Sequence, residues 1–408
     1  MVLSGFFVVF VYWLIFFWND VSKCGSSKEV KGKLEEVREM EKLYKAVSVF
    51  SGARDMDYGM AQAGIETLVA VEIMPEAAQT YRANFPHTRL INEDINHVLE
   101  ELAQYKGQAD IVFGGPPCQG FSVAGKMDPN DDRSQLIFTF LEVVERVQPL
   151  VFIMENVKSL GTSKKWSQIR KKYLSKAEEL GYAVSMVKTN ATDFGVPQKR
   201  ERMFFIGIKN NTDFFMQQNL ESCLAKEKSK AKSVRETLVP LGKAGSKKNP
   251  LTCTAKITFA TNPVMRKSPY AGMYFNGQGR PINVDEYANT LPASMGGNKT
   301  PFLDEDYLFG ETQEDWVVSY HKSLMENPIR SIPSEVPKNL RRITIREAAK
   351  LQTFPDNFVW EGSKGKIYTQ IGNAVPCNLA KAIGQCVISY LSMHFKNSRA
   401  NESIRPKK

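Results

Sequence analysis

From Ala46 onward the apolar positions alternate between two spacings. Short, nearly continuous apolar runs occur at Ala46–Phe50, Thr67–Ile73, Ala109–Phe113, Leu150–Met154 and Met203–Ile208. Their length and β-branched content are those of strands buried on both faces. Between them lie segments whose apolar residues recur at helical spacing: Met56–Ala63, Pro75–Asn84, Ser134–Val147 and Ile169–Leu180. This βα alternation predicts an α/β fold over residues 46–208, a doubly wound, Rossmann-like sheet with a mostly parallel core.

The pattern changes after Lys209. Residues 226–280 hold 12 Lys/Arg against 2 Asp/Glu, whereas residues 283–326 hold 2 against 9. The stretch is rich in Gly, Pro, Asn and Thr and lacks a helical period. It predicts a smaller, loop-rich domain over residues 209–341 with a basic face. Helical signals return near Thr344, a cap candidate for a helix carrying Arg346, Glu347 and Leu351, and again over Asn378–Tyr390. Residues 342–395 are thus expected to return to the first domain, with a basic tail at 396–408.

At the other end, Met1–Trp18 is uncharged and rich in Phe, Val and Trp, and residues 19–45 form a charged linker. The apolar segment is just short of the ~20 residues that span a bilayer. It reads either as an N-terminal membrane tether or as a start-site artefact, since Met40 also stands just ahead of the first strand.

Composition narrows the chemistry. Of 408 residues, 42% are hydrophobic and 24% charged, which excludes a disordered chain, a collagen-like repeat and a polytopic membrane protein. The net charge of +10 suits a polyanionic partner as well as it suits a generic basic enzyme. The six cysteines are scattered without a CxxC pair, and the four histidines form no HxxxH pattern. No metal site is therefore expected, and free thiols point to the cytoplasm.

Gly114-Gly115-Pro116-Pro117-Cys118-Gln119-Gly120-Phe121-Ser122 directly follows a strand. Ligands of open α/β sheets bind at the strands' carboxyl ends, so Cys118 is placed to act as a nucleophile. An isolated cysteine is more often a small core residue. Glu155, at the end of Leu150–Met154, shifts that balance, because a thiol beside a carboxylic acid suits nucleophilic addition with proton delivery. Arg200 and Arg202 alternate along Gln198–Arg202 and can point together at an oxyanion, although such a run can also be a solvated basic edge.

Val47–Gly59, Gly114–Ser122, Glu155–Val157, Gln198–Arg202, Arg342–Phe358 and Gln370–Pro376 together resemble, in order, the motifs of the cytosine-C5 DNA methyltransferases, of the restriction–modification type. The resemblance runs from Val47 to Ser389. It implies that Cys118 adds to C6 of a cytosine flipped out of duplex DNA. It implies that Glu155 holds N3, that Arg202 contacts O2 and fixes the glutamate, and that Arg200 supports the site. The implied cofactor is S-adenosyl-L-methionine, bound by Phe50, Gly52, Glu72, Ile73, Asp94, Ile95, Pro117, Leu136, Asn373 and Val375. Glu72 would take the ribose hydroxyls, and Asp94 and Ile95 the adenine edge.

Residues 209–341 occupy the place of the target recognition domain. There Thr290-Leu291 matches a recurring pair, and Arg280, Thr290, Asn298 and Lys299 are candidate DNA contacts, whether to base edges or to phosphates. The partners implied are double-stranded DNA and a cognate restriction endonuclease acting on the same site, with a monomeric enzyme as the default. The tRNA-methylating branch carries a Cys-Phe-Thr signature and a compact recognition region, which this sequence lacks.

One departure stands out. The family loop reads Gly-x-Gly-Gly where this chain has Gly52-Ala53-Arg54-Asp55. Two charged side chains at glycine positions are expected either to strain the loop and crowd the cofactor's methionine end, or to pair with that end's carboxylate and amino groups. The first outcome would make the chain a catalytically weakened DNA-binding homologue.

Overall fold

A computed structural model describes residues 44–53, 55–117, 135–210, 216–326 and 335–403. The N-terminal segment, Arg54 and Cys118 lie outside the described residues. Seven strands form one sheet in the order β3-β2-β1-β4-β5-β8-β6. They are β1 (Tyr44–Val49), β2 (Ile65–Val71), β3 (Arg89–Ile91), β4 (Ile111–Gly114), β5 (Val151–Val157), β6 (Tyr182–Asn190) and β8 (Glu201–Lys209). The first five are parallel, and β8 runs antiparallel to both β5 and β6. The α/β sheet is therefore mostly parallel, as the alternation predicts.

Two strands escape the sequence pattern. β3 has only three residues, none fully buried. β6 alternates buried and half-buried positions, so it offers no continuous apolar run.

Strand alternation sorts the core into two layers. Ala46, Ile111, Phe113, Val151, Ile153, Phe204 and Ile206 face one side. They pack on α1 (Asp55–Gln62), α5 (Met216–Lys226) and the long α10 (Cys377–Ser403). Val47, Val49, Val112, Phe152, Met154 and Phe205 face the other side, against α3 (Leu136–Val147) and α4 (Ser167–Glu179). Period-two alternation on a sheet covered on both faces produces this division. The helix α2 (Pro75–Asn84) connects β2 to β3, and its range is the one its Pro start and apolar spacing predict.

Beyond β8 the chain holds β9 (Phe259–Val264) antiparallel to β10 (Met273–Phe275), and β12 (Phe302–Asp304) antiparallel to β13 (Leu340–Arg342). Two helices appear where no helical period was evident: α5, and α7 (Trp316–Glu326), whose Val317, Tyr320 and Leu324 are buried. A third, α6 (Val234–Leu238), is short and begins with a capping box at Ser233 and Glu236.

The expected boundary at 341/342 does not divide the packing. Val234, Leu238, Leu291 and Leu303 share one hydrophobic cluster with Ile345 and Leu351 of α8 (Ile345–Leu351) and Tyr368 and Ile371 of α9 (Lys364–Asn373). Of the C-terminal segment, Val375 and α10 join the core layer on the sheet. α10 also runs on to Ser403, so its backbone takes in residues expected to be a tail. Thr344 caps α8 as its sequence suggests, with Glu347 closing the capping box.

Gly207 lies opposite Phe152 in the β5–β8 ladder. A Cβ there would stand 2.0 Å from the edge of the Phe152 ring, which Phe140 and Tyr182 hold from its other sides. We expect Gly207→Ala to destabilise the fold by about 1–3 kcal/mol through overpacking, read as a lower midpoint in urea unfolding.

Candidate active site

The strand order reverses between β1 and β4, and the residues following these two strands stand at the sheet's carboxyl edge, where open α/β sheets bind their ligands in a crevice. After β1 come Phe50, Ser51 and Gly52, with φ of 53° at Phe50 and 56° at Gly52. The left-handed turn is ordinary for Gly52 and strained for Phe50. Gly52 N–H donates to Glu72 Oε2 at 2.8 Å, and Met74 N–H donates to Glu72 Oε1 at 2.7 Å. Glu72 follows β2 and is buried. Burial pushes its carboxyl up and the backbone amides pull it back, with a net rise. Beside it Ile73 is 58% exposed, an apolar side chain left at the crevice mouth. Asn92 braces this corner by donating to the carbonyls of Glu72 (2.7 Å) and Ile73 (3.2 Å).

Other expected cofactor contacts divide by accessibility. Asp94 is half-buried and caps a short helical turn, accepting from Asn96 N–H. Ile95 is turned into the core among Val98, Leu102 and Ile137, so Asp94 is the accessible member of the pair. Leu136 is half-buried at the start of α3, and Pro117 half-buried in the loop leading to Cys118. Asn373 is exposed at the end of α9, and Val375 is buried with its N–H turned toward α1.

Asp55 corrects one expectation. It is the first residue of α1 and does not have a positive φ, so it places no left-handed strain on the loop. Its side chain is buried, and Val375 N–H donates to Asp55 Oδ2. Its carboxylate is thus engaged by the protein's own backbone. Burial pushes the Asp55 carboxyl up to about 7, with the Val375 amide opposing and the nearby charges of Asp57 and Glu155 adding to the rise.

Glu155 lies within β5 rather than after it. The antiparallel pairing with β8 carries β5 through Val157, beyond the last residue that β4 pairs. The overhang sets the Glu155 carboxylate above Gly115, where a Cβ would stand 3.0 Å from Oε2. Asn156 donates to Pro116 O at 3.2 Å, which fixes the same loop one residue before Pro117. Arg202 Nε lies 2.7 Å from Glu155 Oε1, and both side chains are nearly buried. Burial raises the Glu155 pKa; Arg202 and then Arg200 oppose it, and the net direction is up.

Arg200 does not join Arg202 at the crevice. It is buried, and its guanidinium donates to the carbonyls of Leu291 (3.3 Å), Gly372 (3.0 Å) and Asn373 (3.2 Å). Sequence alternation put both arginines on one side, but only tertiary packing supplies the carbonyls that Arg200 meets. Gln198 joins the same knot, donating to Gln352 Oε1 at 3.0 Å and accepting from Leu291 N–H at 2.9 Å. Gln198, Asn156 and Asn92 carry no chemistry that a sequence pattern singles out, because their partners, mostly backbone groups, lie in distant segments.

A second cleft of about 240 Å³ is lined by Gln278, Arg280, Thr290, Ser294 and Lys299, among others. Three of the four candidate DNA contacts thus share it. Asn298 does not line it and instead accepts from Gly279 N–H through its carbonyl. Thr290 Oγ1 donates to Lys199 O at 2.7 Å, and Leu291 is buried, so this pair also anchors the loop. That anchor is the two-residue parallel pairing of β11 (Ala288–Asn289) with β7 (Gln198–Lys199).

At the switch point of this α/β sheet a buried carboxylate–arginine pair thus stands over one loop and a carboxylate held by backbone amides stands beside another. The chain belongs to the C-5 cytosine-specific DNA methylase family, whose model matches residues 44–389. It is 32% identical over 355 residues to the Type II methyltransferase M1.HphI of Haemophilus parahaemolyticus, covering 84% of this chain and 86% of that one. It is 31% identical over 364 residues to M.Sau96I of Staphylococcus aureus, covering 86% and 76%. A solved mutant DNMT2 of Spodoptera frugiperda shares the fold with a TM-score of 0.59 at 17% identity, covering 84% of this chain and 99% of that one. Among the described residues no helix is long and apolar enough to cross a membrane.

Two consequences of the site's electrostatics can be measured. Arg202→Met leaves a buried carboxylate without its ion pair and should cost about 3 kcal/mol, with Glu155→Gln in the same chain restoring much of the loss. Urea unfolding of the single and double variants measures both. Asp55 holds its proton more tightly in the folded chain than in the unfolded chain. Its contribution to stability is therefore full below about pH 4 and is lost as the pH rises through about 7. The melting temperature of Asp55→Asn should accordingly rise relative to the native protein across that window.

Proposed function

We propose that the protein transfers a methyl group to C5 of a cytosine in a short duplex DNA site, as the methyltransferase of a restriction–modification pair. The observation that carries this reading is the Glu155–Arg202 pair seated over Gly115, three residues before Cys118 in the chain.

The residues at the first crevice fit S-adenosylmethionine. Glu72 accepts from the amides of Gly52, Ile73 and Met74, and a carboxylate with about four lone-pair sites retains room for a ribose hydroxyl. Exposed Ile73 and half-buried Phe50 offer apolar surface on which an adenine can lie. Asp94 supplies an acceptor for an amino group, and Gly52, without a Cβ, admits close approach. When bound there, the cofactor supplies an electrophilic methyl group.

The chain's own groups prepare the base. Cytosine C5 is a poor nucleophile until a thiolate adds at C6, the role of Cys118. Addition pushes electron density through the ring toward N3. Glu155, whose pKa is raised by burial, keeps a proton into a range where an ordinary carboxyl has lost it, and holds it at N3. Arg202 fixes the Glu155 carboxyl and offers its remaining N–H groups to the cytosine O2. The target carbon is hidden in a stacked duplex, so the base must be flipped out. Arg280, Thr290 and Lys299, with Asn298 nearby, would hold the DNA that frames it, and the basic stretch 226–280 would meet its phosphates.

Bisulfite sequencing of plasmid DNA from a methylation-deficient host expressing the chain should show one protected sequence context. Cys118→Ser should abolish that protection while leaving duplex binding within a few fold. A 5-fluorocytosine duplex should trap the native protein covalently and leave Cys118→Ser free. An adduct formed by Cys118→Ser would show that another residue is the nucleophile.

A further inference from the structure

We propose that Asp55 is a positioning residue that ties the cofactor loop to the C-terminal Asn373–Val375 segment, so that both are presented to S-adenosylmethionine in one geometry. The inference rests on the cofactor reading given above. The family motif has glycine at this position, and glycine has no side chain with which to make such a tie.

The connection is continuous. Glu72 accepts from Gly52 N–H at 2.8 Å, which fixes the loop to β2. Asp55 Oδ1 lies 3.3 Å from where a Cβ on Gly52 would stand, so the carboxyl group closes the underside of the same turn. Its other oxygen accepts from Val375 N–H, 320 residues away in the chain. Val375 is held from behind by its place in the first core layer. Asn373, two residues earlier, is exposed, and its carbonyl is gripped by Arg200. The exposed side chain of Asn373 thus stands between two fixed backbone points, one set by Arg200 and one by Asp55.

The surroundings explain why the tie goes to a backbone amide. Asp57 on the same helix, Glu155 on β5 and Cys377 on α10 are the titratable groups that interact with Asp55. All three carry negative or no charge. In that setting an N–H donor is the partner that lowers the carboxyl's pKa, as Val375 does, although burial outweighs it. Asp57 is itself held by Ser48, Thr67 and Tyr81, which keeps its charge engaged away from the tie.

The test uses the full chain without DNA, so that no turnover intervenes. S-adenosylmethionine is titrated by calorimetry into the native protein, Asp55→Ala and Asp55→Asn. Asp55→Ala should bind about tenfold more weakly, and Asp55→Asn, which keeps an acceptor oxygen for Val375, should stay within about threefold of native. Hydrogen exchange of the peptide containing Val375, measured without cofactor, should be faster in Asp55→Ala and close to native in Asp55→Asn. This second readout also serves if the alanine variant proves too unstable to titrate, because Asp55→Ser supplies a shorter side chain with the same expected loss of protection. Native-like exchange in the alanine or serine variant would overturn the tie whether or not cofactor binds. Faster exchange with undiminished or tighter cofactor binding would overturn the positioning role. Failure of the native protein to bind S-adenosylmethionine, with the exchange pattern as expected, would overturn the cofactor reading and with it the purpose assigned to the tie.

Discussion

The constraint on which the rest of the structure depends is the burial of Arg200. A guanidinium with almost no solvent exposure must find acceptors, and it finds the carbonyls of Leu291, Gly372 and Asn373. These lie in the candidate recognition loop and at the end of α9. Arg200 itself sits between β7 and β8, two residues before Arg202. One planar, multidentate donor therefore sets the position of the 288–291 loop and the end of α9 relative to the strand that carries Arg202. Gln198 completes the junction by taking the N–H of the same Leu291 whose carbonyl Arg200 holds. Both backbone groups of that residue are thus fixed by one short segment.

Around this junction the carboxylates fall into different environments, and their environments separate their duties. Glu72 is fixed by backbone amides at the sheet's carboxyl edge, Glu155 by an arginine, and Asp55 by an amide from the chain's far end together with its own. All three are buried enough for desolvation to be the leading cause of their raised pKa values. What differs is the compensation. A group compensated by a mobile-sided cation can share its partner with a substrate, whereas a group compensated by backbone amides holds the geometry of a loop. Glu155 is compensated in the first way and Asp55 in the second.

Much of this is legible in the sequence. Valine-rich runs separated by helical spacings define a parallel sheet covered on both faces, because continuous apolar strands are stable only there. Turn residues after β4 and an acid after β2 mark the carboxyl edge, where open sheets bind ligands. Local capping was readable too: Thr344 and Glu347 form their box within one turn and need nothing distant. The order of the motifs gave the family, and with it the roles expected of Cys118, Glu155, Arg202 and Glu72.

Tertiary structure alone decided what each polar side chain meets. Arg200 and Arg202 share a face by alternation, yet one enters a knot of carbonyls and the other pairs with Glu155. Ile95 follows an accessible acid but points into the core. β6 was invisible because an edge strand with half-buried positions has no continuous apolar signal. Residues on both sides of position 341 build one hydrophobic cluster, which no local pattern in the sequence announces. Asp55 shows the difference most clearly. The sequence determined that a charged residue stands where the family loop has glycine, since that is a matter of residue identity. Whether the charge strains the loop, meets a ligand or binds the chain to itself depends on which backbone group stands within a hydrogen bond of it. That group is Val375 N–H, brought there by the folding of the whole domain.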